Sequence, residues 1–125
     1  MTANPVSYIE IPANDLDRAI AFYSAVFGFE LERATIDGYE MALFPHAEGK
    51  PGASGALVKG DVYEPSKAGA IVYLSVADID RALTLAAENG AQVLYSKKDI
   101  GDQGFVAEIE DSEGNRIALH QSIAT

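Results

Sequence analysis

The sequence predicts an α+β fold in which two βαβββ modules form an eight-stranded, curved, half-open barrel sheet with helices on its convex face. The first observation is that "NDLDRA" at residues 14–19 returns as "ADIDRA" at residues 77–82. The second is that a short alternating strand precedes each copy, Ile9-Glu10-Ile11 and then Val72-Tyr73-Leu74, again 63 residues later. Because the offset is about half the chain, it indicates a duplicated unit. The third observation is that three further strand candidates follow each helix.

The first module is predicted over about residues 5–59 and begins with a strand at 6–11. A helix follows, because Asn14 or Asp15 can cap its start and Gly28 can end it. Its apolar residues recur at helical spacing and form one stripe, which consists of Leu16, Ala19, Ile20, Tyr23 and Phe27. The remaining strands of this module are predicted at 29–33, 40–44 and 54–58.

Residues 60–69, "GDVYEPSKAG", are predicted to be the linker between the modules. The second module is predicted over about 70–121, with a strand at 70–76 and a helix from Asp78 to Asn89-Gly90. Its apolar stripe consists of Ile79, Ala82, Leu83 and Ala86. Its last strands are predicted at 91–96, 103–110 and 115–121. Both modules are expected to form a single domain over residues 1–125.

The last two strands can be given a register. The segment "DSEGN" at residues 111–115 is typical of a turn in which Gly114 adopts a positive φ. The register that gathers apolar side chains on one face pairs Ile109 with Ile117 and Ala107 with Leu119. On the other face it pairs Glu110 with Arg116, Glu108 with Ala118, and Val106 with His120.

Composition excludes several classes of function. The net charge of −10 opposes binding to a nucleic acid, where affinity depends on Lys and Arg. The chain has no cysteine, which excludes disulfides, thiolate metal sites and a cysteine nucleophile. No segment has the length and apolarity of a membrane span, and "MTANPVSYIE" lacks the basic and apolar regions of a signal peptide. We therefore expect a cytoplasmic protein with no nucleic-acid or membrane partner.

Two segments, "YIEIPANDLDRAIAFYSAVFGFEL" and "GFVAEIEDSEGNRIALHQ", resemble the vicinal oxygen chelate superfamily. That superfamily includes glyoxalase I, extradiol dioxygenases, fosfomycin-resistance proteins and bleomycin-binding proteins. The resemblance covers essentially the whole chain and implies the paired βαβββ fold predicted above. It does not imply one activity, because this fold supports several.

The resemblance also implies where a metal would bind. The metal enzymes of the superfamily hold a divalent ion with His and Glu from the first and last strands of each module. The four matching positions in this sequence are occupied by Tyr8, Ala56, Ile71 and Ala118. Alanine and isoleucine have no lone pair to donate, and a tyrosine would have to ionise first. The resemblance therefore predicts a member without the metal ligands, with no metal and no cofactor.

The residues that alternate with the helix-facing ones are predicted to line the concave cup. The expected ligand-binding residues are Tyr8, Glu10, Ile71, Tyr73, Glu108, Ala118 and His120, with Ser75 beside them. The candidates for acid–base catalysis among them are Glu10, Glu108 and His120.

Each candidate also has a structural interpretation. Glu10 near a strand end equally fits a solvated carboxylate. Tyr8 and Tyr73 equally fit core or dimer-contact aromatics. His120 fits an exposed histidine if the last strand frays.

Two functions remain open at this point. The first is a metal-independent binding protein of the glyoxalase/bleomycin-resistance type, which holds a cationic or aromatic molecule in the cup. The alternative is a lyase, isomerase or dioxygenase-like enzyme that uses Glu and His or a metal site at other residues. A structural or regulatory dimer is a third possibility. A two-fold homodimer is expected, because an open curved sheet leaves edges and an apolar mouth for a second copy to cover.

Overall fold

The computed structural model describes residues 4–123 and confirms the predicted α+β fold of two βαβββ modules. The elements of the first module are β1 (Tyr8–Pro12), α1 (Leu16–Phe27), β2 (Glu32–Ile36), β3 (Tyr39–Leu43) and β4 (Ser54–Lys59). Those of the second are β5 (Val72–Ser75), α2 (Ile79–Glu88), β6 (Val93–Asp99), β7 (Phe105–Glu110) and β8 (Arg116–Gln121). A short 3₁₀ turn at Gly101–Gln103 lies between β6 and β7.

The eight strands are divided into two four-stranded sheets of matching topology. Their strand orders are β1-β4-β3-β2 and β5-β8-β7-β6. In each sheet the first and last strands of the module pair in parallel, and the other pairs are antiparallel. The sequence repeat is therefore also a repeat of strand pairing.

Both helices start where the repeated motif predicts. Asp15 accepts a hydrogen bond from the Arg18 backbone N–H at 3.0 Å, and Asp78 accepts one from the Arg81 N–H at 3.1 Å. Gly28 ends α1 in the left-handed conformation, with φ of 72°. The same local residues thus begin both helices in the same way.

The main core draws on both modules. Tyr23 from α1, Leu57 from β4, and Ile109 and Ile117 from the final hairpin are fully or almost fully buried in one cluster. A second cluster packs Ile79 and its neighbours on α2 against β7 and β8. The core is therefore shared between the two modules, and a single domain over residues 1–125 stays a prediction.

The predicted register of the final hairpin is confirmed at each of its five residue pairs. The charge partner differs from the one that the register suggested, because Arg116 forms an ion pair with Glu108 on the diagonal. Glu110, directly opposite Arg116, instead accepts from Lys67 Nζ at 3.2 Å.

The strand predicted at 29–33 is misplaced, since β2 begins at Glu32. Phe29 stacks on Phe27 with ring centroids 5.4 Å apart and also packs against Phe44. These aromatic contacts hold residues after the helix in the core and delay the start of the strand. Smaller shifts of a few residues affect the bounds of β5 and β6.

The turn between β7 and β8 contains the buried polar residues Asp111, Glu113 and Asn115. Glu113 accepts from the backbone N–H groups of Asn14 and Asp15, both at 2.8 Å. It also accepts two hydrogen bonds from the Arg18 guanidinium, at 2.7 and 2.9 Å. The hairpin turn of the second module is thereby fixed to the first helix.

The same turn is anchored to the body of α1 and to β1. Asp111 accepts a hydrogen bond from the Tyr23 hydroxyl at 2.6 Å. The Asn115 amide donates to the Pro12 carbonyl at 2.8 Å. Within residues 4–123, no helix is both long enough and apolar enough to cross a membrane.

Candidate functional site

Each sheet has a face that points away from the helices. Ile9 and Ile11 pack in the helix-side core, so Tyr8 and Glu10 lie on the other side of β1. By the same alternation, Glu108 lies on the side of β7 opposite the buried Ile109. We call these surfaces the module 1 face and the module 2 face.

The Glu10 carboxylate lies on the module 1 face, on the edge strand β1. It accepts a hydrogen bond from the Tyr8 hydroxyl at 3.1 Å and another from the Tyr63 hydroxyl at 2.8 Å. Tyr63 belongs to the segment after β4, and its backbone N–H donates to the Gly60 carbonyl at 3.1 Å. This tight turn brings a residue of the predicted linker back onto the sheet.

Tyr63 forms part of a small apolar cluster on this face. Its ring lies edge-on to Tyr39, with centroids 5.1 Å apart and an interplanar angle of 84°. Met41, Ala56 and Val58 are buried beneath them. The chain itself therefore covers the part of the module 1 face around Met41, Ala56 and Val58.

Gly60 is required beneath the aromatic pair. A Cβ atom at this position would lie 2.5 Å from two carbons of the Tyr39 ring and 3.2 Å from the Tyr63 ring. The close approach of the rings to the backbone therefore depends on a residue without a side chain.

Both phenols bound to Glu10 are held in their neutral form. The hydrogen bond to Glu10, followed by burial and the charge of Glu10, raises the pKa of Tyr63 to about 12. Burial first, and then the hydrogen bond and charge of Glu10, raise the pKa of Tyr8. Ionising either phenol would place a second negative charge beside the carboxylate.

The module 2 face has a different arrangement of charge. The Glu108 carboxylate forms an ion pair with Arg116, and both side chains are largely buried. The Nε2 atom of His120 contacts the carbonyl oxygen of Gln103 in the 3₁₀ turn. Because a carbonyl can only accept, Nε2 is the donor in this contact, and Nδ1 is the ring nitrogen that takes no part in it. On the neighbouring strand β5, the residue Tyr73 is 53% exposed.

The predicted site residues therefore fall into two groups. Tyr8 and Glu10 lie on the first sheet. Tyr73, Glu108, Ala118 and His120 lie on the second. Ile71 immediately precedes β5 and is 43% exposed. Ala118 is fully buried, and β8 continues past His120 to Gln121, so the strand does not fray at the histidine.

Two important residues are absent from the sequence-based site. Tyr63 falls within the predicted linker, and only its aromatic character in a polar segment signals a contact. Arg116 could have been found, because the predicted register already places it within diagonal reach of Glu108. His46 lies in the exposed loop before β4.

The four positions matched to the metal ligands are equivalent in the two sheets. Ala56 pairs with Glu10, which is two residues after Tyr8. Ala118 pairs with Tyr73, which is two residues after Ile71. The strand registers thus support the matching of Ala56 to the second ligand position. Within residues 4–123, no group of three or more His, Cys, Asp or Glu side chains is arranged to hold a metal ion.

Two cavities lie away from these faces. One of about 650 Å³ is lined in part by Arg18, Phe22 and Gln92 near the β7–β8 turn. Another of about 300 Å³ lies between the end of α1 and the start of α2. None of the seven predicted ligand-binding residues lines either cavity.

Comparison with known proteins gives a consistent assignment. The model of the Glyoxalase/Bleomycin resistance protein/Dioxygenase superfamily matches residues 6–119. A glyoxylase-like domain-containing protein of Didymella fabae is 31% identical over 118 residues, which cover 91% of each chain.

Solved structures with the same fold include a glyoxalase family protein from Bacillus cereus and TnmS3, an antibiotic binding protein from Streptomyces sp. CB03234. The first is 20% identical, with a TM-score of 0.76 and 99% of each chain covered. The second is 23% identical, with a TM-score of 0.67 and 98% of each chain covered.

Proposed function

This chain belongs to the Glyoxalase/Bleomycin resistance protein/Dioxygenase superfamily, and we propose that within it the chain is a metal-independent protein that binds a small organic molecule. The ligand is held on the concave side by residues of the module 1 and module 2 faces. The proposal covers the predicted residues Tyr8, Glu10, Tyr73, Glu108 and His120. It adds Tyr63 and Arg116, which the sequence alone did not indicate.

One observation carries the proposal. The positions matched to the superfamily's metal ligands hold Tyr8, Ala56, Ile71 and Ala118, and the strand registers give the two pairs equivalent places. Three of these side chains have no atom that can bind a metal ion. The fourth is Tyr8, whose hydroxyl already donates a hydrogen bond to Glu10. A divalent ion needs several nitrogen or oxygen ligands, which this set does not supply.

Binding without metal chemistry is supported by what the faces present. Exposed tyrosine rings beside a few polar groups are the usual lining of a small-molecule site. A structural neighbour, TnmS3, is described as an antibiotic binding protein, so this fold supports that role.

Metal content tests the first half of the proposal. After mild dialysis, elemental analysis is expected to find well below one zinc, nickel, manganese or iron per chain. Adding each ion is expected to leave the Tm unchanged, because binding only to the folded state would raise it. About one tightly bound ion per chain, with a matching rise in Tm, would contradict the proposal.

A thermal-shift screen tests the second half, with planar aromatic compounds that are neutral, cationic or anionic. Replacing Tyr73 with Ala removes an exposed ring and is expected to weaken the best hit about tenfold. The matched control is Ile36→Ala, which removes an exposed apolar side chain at the β2–β3 turn. A screen without hits, or equal losses in both variants, would count against a binding site on these faces.

The alternative function is an enzyme, a glyoxalase-like lyase or isomerase. The observation that favours it is the His120 ring, whose Nε2 contacts the Gln103 carbonyl and whose Nδ1 is available to take a proton. Turnover of a 2-oxoaldehyde–thiol adduct that is lost in His120→Gln would establish this alternative. Absence of turnover, together with ligand binding, is the outcome that the primary proposal expects.

We also propose that the functional unit is a homodimer. The exposed Val93 and Tyr95 side chains on the edge strand β6 are apolar surface that a second copy can cover. Sedimentation equilibrium at micromolar concentration is expected to give twice 13.3 kDa, and a clean monomer would reject the dimer. A cytoplasmic location stays a prediction from the sequence.

A further inference from the structure

The Glu10 carboxylate differs from the three other glutamates that are at least partly buried. Asp111 is also buried without an ion pair, but four hydrogen bonds, from the Tyr23 hydroxyl, the Asn115 amide and two backbone N–H groups, surround it. Glu108, Glu110 and Glu113 each form an ion pair, with Arg116, Lys67 and Arg18 respectively. Among residues 4–123, no Lys, Arg or His nitrogen lies within 4.0 Å of Glu10. The module 1 face therefore carries a half-buried negative charge without a positive partner.

Hydrogen bonding leaves this carboxylate able to accept more. An ionised carboxylate has about four lone-pair directions. The hydroxyls of Tyr8 and Tyr63 use one on each oxygen. These neutral donors hold the carboxylate in place without cancelling its charge, so a cation can still approach it.

Two tyrosines bond to the carboxylate through their hydroxyls, and a third tyrosine ring packs against one of them. Tyr8 and Tyr63 make the hydrogen bonds, and Tyr39 packs edge-on against Tyr63. Tyrosine faces attract cations electrostatically, most strongly organic ammonium groups that shed their water easily. A hard metal ion such as Ca²⁺ would need six or more oxygen ligands, which this surface does not offer.

We propose that the module 1 face carries a site for an organic ammonium group, in which Glu10 supplies the charge and Tyr8, Tyr39 and Tyr63 supply the aromatic surface. This inference rests on the proposed binding function and names a ligand class and a location for it. Tyr63 is then a specificity-determining residue, and the Gly60 turn that carries it is part of the site.

Choline and its neutral isostere 3,3-dimethylbutan-1-ol are suitable probes, because they differ in charge and hardly in shape. Each is titrated into the isotopically labelled full chain and followed by amide NMR, against sodium chloride at equal ionic strength. Choline is expected to shift the signals of Tyr8, Glu10 and Tyr63 in a saturable way. The isostere and sodium chloride are expected to leave those signals in place.

Substitutions can distinguish the contribution of the Glu10 charge to choline binding from that of the Tyr63 ring. Glu10→Gln and Tyr63→Ala are each expected to weaken choline binding about tenfold, while Tyr63→Phe retains the ring and stays within about threefold. Glu30→Gln removes an exposed carboxylate after α1, and Val62→Ala changes an exposed neighbour in the turn. Both controls are expected to match the original chain. Dispersed spectra of each variant show that it is folded.

Equal shifts with choline and its isostere, or full choline affinity in Glu10→Gln, would overturn the inference. If choline fails while another compound of the thermal-shift screen binds, the ammonium site is wrong and the proposed function stands. If neither choline nor any screened compound binds, both are wrong.

Discussion

The module 1 and module 2 faces come from the same repeated plan but compensate their carboxylates differently. On the first, Glu10 is held by the hydroxyls of Tyr8 and Tyr63. On the second, Glu108 is paired with the positive charge of Arg116. The repeat preserves the apolar side of each sheet, because the helices must pack against it. The open side is free to diverge, and that is where function can differ between the two modules.

The starts of the two helices also have the same local contacts but different partners from distant parts of the chain. Asp15 and Asp78 cap their helices identically, as the repeated motif requires. The distant partner differs, since Glu113 of the other module holds the start of α1 and Gln121 of the same module accepts from the Ile79 N–H at 2.8 Å. The start of the first helix is thus hydrogen-bonded to the opposite module, and the start of the second is hydrogen-bonded within its own module.

The largest expected effect tests this asymmetry. Glu113→Ala is expected to lower the free energy of unfolding by about 2–4 kcal/mol, because two backbone N–H groups and the Arg18 guanidinium lose their acceptor. The matched change at α2, Gln121→Ala, removes one acceptor and is expected to cost about 1 kcal/mol. Urea unfolding measures both, and equal losses would remove the distinction between the two helix starts.

The contribution of Glu113 to stability is expected to depend on pH. Burial acts to raise the pKa of Glu113, but hydrogen bonds from Arg18, the Asp15 N–H, Ser112 and the Asn14 N–H together hold that pKa below 4.5. The stabilisation is therefore complete above the pKa of the unfolded state and is lost as the pH falls through the lower folded-state pKa. The stability difference between the original chain and Glu113→Gln is expected to shrink in acid. A difference independent of pH would contradict this role.

Gly60→Ala is expected to damage the module 1 face alone. The added methyl group would lie 2.5 Å from the Tyr39 ring, and such overpacking costs about 1–3 kcal/mol. Choline affinity should fall with it, because Tyr63 is displaced. Lys59→Ala, at the exposed neighbouring residue, is the control and is expected to change stability by less than about 0.5 kcal/mol. Unchanged stability in Gly60→Ala would mean that the ring pair does not depend on this glycine.

Arg116→Gln makes the module 2 face resemble the module 1 face. Glu108 loses its partner, and with side chains 32% and 15% exposed the expected cost is about 1–2 kcal/mol, less than for a fully buried pair. Choline is then expected to shift signals around Glu108 as well. The double variant with Glu108→Gln should lose that second response and regain stability. If choline still binds only near Glu10 in Arg116→Gln, an unpaired carboxylate is not sufficient for binding. The tyrosine rings are then the feature of the module 1 face that choline requires.

The smallest effect concerns the titration of Tyr63. Glu10→Gln is expected to lower the pKa of this phenol from about 12 toward 10, since the hydrogen bond and charge of Glu10 raise it. Because the folded-state pKa is the higher one, the associated stabilisation is complete below pH 10 and is lost as the pH rises to about 12. Carbon NMR of the labelled phenol follows the titration, with Val62→Ala as control. An unchanged pKa in Glu10→Gln would show that the contact is weak in solution.

Much of the fold is predictable from short segments. The capped starts of both helices and the hairpin register that pairs Ile109 with Ile117 follow from the sequence and are confirmed. These features depend on spacing within one or two turns of helix or across one tight turn. The predicted start of β2 is wrong, because Phe29 is retained by ring contacts that only the folded core provides.

The site is predictable only in part. Alternation correctly indicates that Glu10 and Glu108 lie on the faces away from the helices. It cannot indicate that Tyr63 returns across 53 residues to bind Glu10. Nor does it reveal that Arg116 pairs with Glu108 rather than Glu110, since both carboxylates are within reach of a long side chain.

The sequence by itself determined the duplication, the two capped helices, the apolar stripes and the loss of donor atoms at the positions matched to metal ligands. These depend on residue identity and on the fixed periods of helix and strand. The tertiary structure alone decided which carboxylate keeps a positive partner and that Glu113 joins the two modules. Such contacts join residues far apart in the chain, and they form only after packing has fixed the distance and direction between elements.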